Sequence, residues 1–407
     1  MSCLAAGQVA RTSGAAAAPR PSVAEVLRAA LAAQPAGLSP HHWKTLDALI
    51  ACRTPRLGGH LYRCEDCGRE HFVPHSCRNR HCPCCQKAQA IDWLQRQEAD
   101  LLPVPYFHIV FTLPHGLNAL IGQNQRALYN LLFGAASATL LKFGRQRLGA
   151  QIGLTAVLHT WSQTLGAHYH LHCIVTGGGV SRDGSQWREA APGYLFPVKA
   201  LSVVFRAKFR DGLKKLYADG RLCFHGGLEP LAGEGAFRGL LAAALREKWV
   251  VYAKPPFGGP AQVLGYLSRY THRVAIGNGR ILALDTTDDT VTFAYKDYRH
   301  HGRGKTMTLA CAEFLRRFCL HILPERFVKI RHYGLLGNHQ RKHKLEHARE
   351  LIAKNRPPRD EPPVSPHASE APAPSPPALM LCPHCGSTNL VLIERRDPQP
   401  IPPLDSS

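Results

Sequence analysis

HYHLHCIV, residues 168–175, sets three imidazoles at alternate positions and then runs into an apolar segment. Period-two alternation marks a β-strand, whose successive side chains point to opposite faces. His168, His170 and His172 therefore share one face, with neighbours about 7 Å apart at Cα. Adjacent members can converge on one ion, whereas His168 and His172, about 13 Å apart, cannot easily share it. His170 and His172 are the better pair, because they lie toward the apolar run, where an unpartnered imidazole is costly. The competing reading is a trio of surface histidines on an edge strand, and spacing alone does not separate the two.

On either side of this strand the pattern is mixed. LTAVLHTWSQTL (154–165) reads as its antiparallel partner, YFHIVFTL (106–113) as a further strand, and TGGGVSRDGSQW (176–187) as a turn-rich exit through a hairpin. Helical periodicity covers 23–33, a segment opened by Ser39-Pro40, 86–102, 117–148, the basic amphipathic stretch 198–219, then 236–248, 261–274 and 311–321. Short strands are expected at 249–254, 281–284, 291–295, 306–309 and 326–334. The fold class is α+β: a small zinc-binding module followed by a domain with a central antiparallel sheet flanked by helices, and a disordered Pro-rich tail.

The chain has 407 residues, with 50 Lys+Arg against 29 Asp+Glu and a formal charge of +21. That excess favours a polyanionic partner, nucleic acid first and a membrane surface second. No apolar run approaches the ~20 residues of a spanning helix and no secretion signal is evident, so a soluble, cytoplasmic, nucleoid-associated protein is expected.

Of fourteen cysteines, six fall between Cys64 and Cys85 in YRCEDCGREHFVPHSCRNRHCPCCQK (62–87). Cys64-x2-Cys67 and Cys82-x2-Cys85 can close a tetrahedral structural Zn2+ site, with Cys77 and His81 as alternates and Cys84 packing. Four protein ligands leave no open position, so this zinc organises a DNA-binding surface on which Arg78, Arg80 and Lys87 are available to phosphate. Near the other end, LCPHCGSTNLVLIE (381–394) is half of a zinc ribbon. Cys382 and Cys385 need His384, His367 or another chain to complete a site, or they bind no metal.

GYLSRYTHR (265–273) places Tyr266 and Tyr270 four apart on a helix, hence on one face, with Arg269 and Arg273 beside them. Aromatic residues at this spacing are usually core, but core stripes avoid interleaved arginine and histidine. A phenol attacks a phosphodiester when phosphate charge is neutralised and geometry held, which a histidine-bound Mg2+ or Mn2+ and nearby arginines would supply.

The order of GGHLYRCEDCG (58–68), SCRNRHCPCCQ (76–86), FTLPH (111–115), HLH (170–172) and YLSRYTHR (266–273) resembles the HUH-type rolling-circle transposases of the insertion sequence 91 family, across roughly residues 40–335. The resemblance implies an HUH-endonuclease-like domain that nicks and rejoins single-stranded DNA at insertion-sequence ends. His170 and His172 would bind the divalent ion, and Tyr266 and Tyr270 would form the 5'-phosphotyrosine link. A third ligand comes from a neighbouring element, with Gln163 first and His159 or His168 as alternatives; His108 or His115 would touch substrate. Target DNA and host replication proteins are the further implied partners, and no oligomeric state is implied.

The expected domains are a disordered start (1–22), a helical and zinc-binding module (23–103), the catalytic domain (104–335), a basic then Pro-rich linker (336–378) and the half-ribbon tail (379–407). A non-catalytic zinc-dependent DNA-binding regulator is the competing function, in which the histidines and tyrosines are structural.

Overall fold

The computed structural model describes residues 20–33, 37–98, 100–254, 262–263, 265, 271–355 and 380–399. The disordered start expected at 1–22 lies outside them up to residue 19, as do Tyr266, Arg269, Tyr270 and the Pro-rich stretch 356–379.

Two helices open the described chain. α1 (Val23–Ala32) starts at a capping box in which the Ser22 hydroxyl accepts from the Glu25 amide and the Glu25 carboxylate returns to Ser22. α2 (Pro40–Ile50) starts with Ser39 as cap and Pro40 in its first turn. A hairpin of β1 (Gly59–Cys64) and β2 (Glu70–Pro74) follows, then α3 (Gln86–Glu98).

The larger part of the chain continues with β3 (Tyr106–Thr112), α4 (Asn118–Gln123), α5 (Gln125–Phe143), β4 (Ala150–Trp161), β5 (Ala167–Ser181), β6 (Trp187–Glu189), α6 (Val198–Ala218), α7 (Glu234–Arg246) and β7 (Val251–Lys254). After the partly described segment come β8 (Ile281–Asp285), β9 (Thr290–Asp297), β10 (Arg303–Ala310), α8 (Cys311–Cys319), β11 (Ile330–Gly334), α9 (Arg341–Asn355) and β12 (Leu390–Arg396).

The central sheet runs β11-β4-β5-β3-β7, with β6 also paired to β5, and these pairings are antiparallel. Its two faces differ because the strands alternate. Ile109, Phe111, Leu154, Ala156, Leu158, Tyr169, Leu171, Cys173 and Val175 point into the main core with Leu201, Phe205, Phe209 and Leu213 of α6 and the apolar side of α5. The intervening positions carry His108, His159, His168, His170 and His172 on the other face. Toward the Ile174 end, that face is covered by Tyr106, Trp187, Val263 and the Leu345, Ala348, Leu351 and Ile352 stripe of α9.

Three elements depart from the sequence reading. Residues 177–179 lie inside β5 and do not form a turn: a Cβ on Gly178 would stand 2.7 Å from the Arg188 carbonyl and the Trp187 ring, so the glycines permit close backbone approach. The hairpin falls later, between β5 and β6. Residues 341–355, expected as linker, are helical, because the four buried apolar residues of α9 find a partner surface that a local window does not contain. β12, expected as an isolated half ribbon, joins a sheet ordered β12-β1-β2.

Candidate active site

β4 and β5 are in a register that sets His159 directly opposite His170. His159, His170 and His172 each bring one ring nitrogen within 4.8 Å of the others. Their ring centroids are 4.5 Å (His159–His172), 4.9 Å (His170–His172) and 5.4 Å (His159–His170) apart.

Two of the rings are already oriented. His170 Nδ1 lies 2.9 Å from the His168 carbonyl oxygen, so it carries the proton and leaves Nε2 as the electron-pair donor. His172 Nδ1 lies 2.8 Å from His108 Nε2. If His172 Nε2 ligates, its Nδ1 donates to His108, the arrangement by which outer partners fix a ligand's tautomer. Trp161 stacks on His159 at 4.7 Å between centroids.

His170 and His172 are held neutral. Burial, followed by the neighbouring His168 ring, lowers His170 to about 3, and Arg273 adds to this. Burial, then the His159 and His170 rings, pushes His172 far below the ordinary imidazole range. Neutral imidazoles have no proton to lose before coordinating an ion. The donor set therefore fits a divalent cation, and a site of three imidazoles leaves positions for phosphate oxygens.

The expected third ligand is placed differently from the sequence reading. Gln163 is not on a strand but in the β4–β5 turn, beyond Trp161, where its carbonyl accepts from the Arg280 guanidinium. The next two carbonyls of the turn are also engaged: Thr164 accepts from Arg317 Nη1 at 2.9 Å and Leu165 lies 2.9 Å from His321 Nε2. These contacts hold Leu165 at φ 61 and with it the register that faces His159 to His170.

His108, expected at substrate, is instead buried behind His172. His115 is exposed, and its Nε2 sits 3.2 Å from His168 Nδ1, extending the imidazole row outward.

The expected four-cysteine site is also regrouped. Cys82 and Cys85 join Cys52 and Cys77, with Sγ separations of 3.5 Å (Cys52–Cys85), 3.5 Å (Cys52–Cys82) and 3.7 Å (Cys77–Cys85). Cys64 and Cys67 instead meet Cys382 and Cys385. Sequence spacing joins neighbouring pairs, whereas the fold brings in a pair from the far end of the chain. His81 is not grouped with these thiols; its Nε2 accepts from the Leu323 amide at 3.3 Å. Cys84 packs, accepting from Asn278 Nδ2 at 3.5 Å.

Comparison with known proteins gives this geometry a context. Residues 23–113 match the family model described as "Transposase zinc-binding domain", and residues 153–344 match the one described as "Putative transposase". The chain is 31% identical over 304 residues to the transposase for insertion sequence element IS801 of Pseudomonas savastanoi pv. phaseolicola, covering 74% of this chain and 72% of that protein. The chain belongs to the insertion sequence 91 family of transposases. It is also 44% identical over 396 residues to "Putative transposase y4qJ" of Sinorhizobium fredii, covering 94% of this chain and 97% of that one. A conjugative relaxase, TrwC, solved in complex with oriT DNA and metal, aligns at 14% identity with a TM-score of 0.25, covering 62% of this chain and 96% of that one; at that score the likeness carries no argument.

The transposase's expected phosphate contacts divide. Arg78 is exposed in a left-handed conformation (φ 51) beside the Cys77 cluster. Arg80 is partly buried, and its guanidinium donates to the Phe327 carbonyl and ties the zinc module to the larger domain. Arg273 is exposed, and its charge acts on His170 and His172. The Lys87 side chain and Arg269 lie outside the described residues. No described helix is long and apolar enough to cross a membrane.

Proposed function

We propose that this transposase cleaves and rejoins single-stranded DNA at insertion-sequence ends by tyrosine transesterification, with His159, His170 and His172 holding the catalytic divalent ion. The observation that carries the reading is the convergence of three imidazoles, two of them held neutral and with Nδ1 already committed, on one face of the central sheet.

Tyr266 and Tyr270 are the proposed nucleophiles. They lie outside the described residues, but both flanks of their segment bear on the histidine face. Val263 packs with Tyr106 and Ile174, and Arg273 acts on His170 and His172. A phenolic oxygen attacks phosphorus, the bond from phosphorus to the 3'-oxygen breaks, and the phenolic proton passes through solvent to that oxygen. The products are a 5'-phosphotyrosine and a free 3'-hydroxyl, and rejoining is the reverse attack. The bond energy is kept in the phosphotyrosine, so no nucleotide triphosphate is needed.

His159, His170 and His172 would hold a divalent ion, which would neutralise charge on the scissile phosphate and favour the phenolate. Arg273 adds fixed positive charge from the protein. Imidazole donors favour Mn2+ over Mg2+, which prefers oxygen ligands.

The test is cleavage of a labelled single strand carrying the element end, titrated with Mn2+ and with Mg2+. The reading expects cleavage to need the ion and to fall at least about 100-fold in His170→Ala and His172→Ala. Cleavage that persists in both variants and in chelator rejects the assignment.

A further inference from the structure

Two Cys-x-x-Cys-Gly turns from opposite ends of the chain face one another. In the first, the Cys64 amide donates to the Arg69 carbonyl and the Gly68 amide to the Cys64 carbonyl at 2.8 Å, with Gly68 at φ +70. In the second, the Cys382 amide donates to the Ser387 carbonyl and the Gly386 amide to the Cys382 carbonyl at 2.9 Å, with Gly386 at φ +76. Each turn aims two thiols the same way. Across the gap, Cys64 Sγ lies 3.6 Å from Cys385 Sγ and Cys67 Sγ 3.7 Å from Cys382 Sγ. A tetrahedral zinc thiolate site with Zn–S of about 2.3 Å needs sulfurs about 3.8 Å apart.

We infer that these four cysteines bind a second structural Zn2+, separate from the ion of Cys52, Cys77, Cys82 and Cys85, and that this ion latches residues 380–399 onto the amino-terminal module. Cys382 and Cys385 lie outside both matched segments, 23–113 and 153–344.

The docking surface is built for the tail. β12 pairs along the whole of β1, from Gly59↔Arg396 to Cys64↔Leu390. The Gln399 amide donates to the Arg56 carbonyl at 3.0 Å and the Glu65 amide to the Asn389 carbonyl at 3.0 Å. Gly58 leaves room for the strand: a Cβ there would stand 2.3 Å from the Arg396 carbonyl oxygen. The β12 side chains bury little, since Val391, Leu392 and Ile393 remain exposed. Backbone pairing with so little apolar burial does not by itself hold a strand carried on a long connection, and zinc supplies the missing free energy, as in other small ribbons.

The test is thiol mapping of the full-length reduced protein by alkylation and peptide mass spectrometry, with exposed Cys223 as the reactive reference. Cys67 and Cys385 are exposed, so without an ion they react readily. Protection of Cys64, Cys67, Cys382 and Cys385 as one group, lost together on zinc removal, supports the latch. Reactivity of Cys382 and Cys385 matching Cys223 while Cys64 and Cys67 stay protected overturns it, as does reactivity of all four. In Cys382→Ser, Cys385→Ser the zinc content should fall by one per chain and Cys64 and Cys67 should become reactive, while Cys52, Cys77, Cys82 and Cys85 stay protected. Unchanged zinc content in that variant contradicts the latch.

Discussion

His108 Nε2 lies 2.8 Å from His172 Nδ1, and His108 is buried with only 2% of its surface exposed. A histidine in that position would act on a bound ion only through His172. His108→Ala should weaken Mn2+ binding about 10- to 100-fold, the usual effect of losing an outer partner, with cleavage restored at saturating Mn2+. His108→Gln, whose carbonyl can accept from His172 Nδ1, should recover part of the loss. Isothermal titration with Mn2+ reads both; equal affinity in all three proteins would refute the role.

The proposed ligand set puts His159 in the place that the sequence reading gives first to Gln163. His159→Ala should abolish metal-dependent cleavage, whereas Gln163→Ala should stay within a few-fold of wild type, since the main chain of Gln163 makes its observed contact with Arg280. Single-turnover cleavage at saturating Mn2+ measures the difference. The reverse ranking would return the third position to Gln163.

The placement of His170 and His172 on one strand face was legible in the sequence because alternation and the following CIV run mark a strand facing a core. His159 was only an alternative, because its position opposite His170 depends on register. That register is set by a turn whose carbonyls are held by Arg280, Arg317 and His321, more than 100 residues away. The cysteine turns were likewise legible as local pairs, but their partnering spans a separation of 315 residues between Cys67 and Cys382. The contact of Arg80 was not legible: a charged residue beside zinc ligands suggests phosphate, and its carbonyl partner at Phe327 has no local signal.

Arg78 and Arg80 should therefore part in DNA binding. Arg78→Ala should lower the salt dependence of single-strand affinity by about 0.7 in log–log slope if it contacts one phosphate, leaving stability unchanged. Arg80→Ala should leave the slope unchanged and cost about 1.5–3 kcal/mol of stability through loss of a charged hydrogen bond. Salt titrations of affinity with denaturation curves check both.

Burial lowers His321 to about 4, where Nε2 meets the Leu165 carbonyl and Nδ1 lies 3.2 Å from Thr160 Oγ1. The unfolded chain, with an imidazole near 6.5, takes up a proton first as pH falls. Stability is therefore full above about 6.5 and declines between about 6.5 and 4, by about 1.4 kcal/mol per pH unit for this one group. His321→Gln should flatten the acid limb by that amount. Denaturation between pH 7 and pH 4.5 tests it, and an unchanged slope would rule out the contribution.

The central claim is a covalent link between a tyrosine of this transposase and the 5'-phosphate of cleaved DNA. The most direct measurement is incubation of a single strand carrying the element end with protein and Mn2+, followed by denaturing electrophoresis with the label at either DNA terminus. A 3' label should migrate with the protein and a 5' label should leave as a shorter free strand, with both signals lost in Tyr266→Phe, Tyr270→Phe. Cleavage that leaves both labels on free DNA, or an adduct that survives the double substitution, would contradict the account.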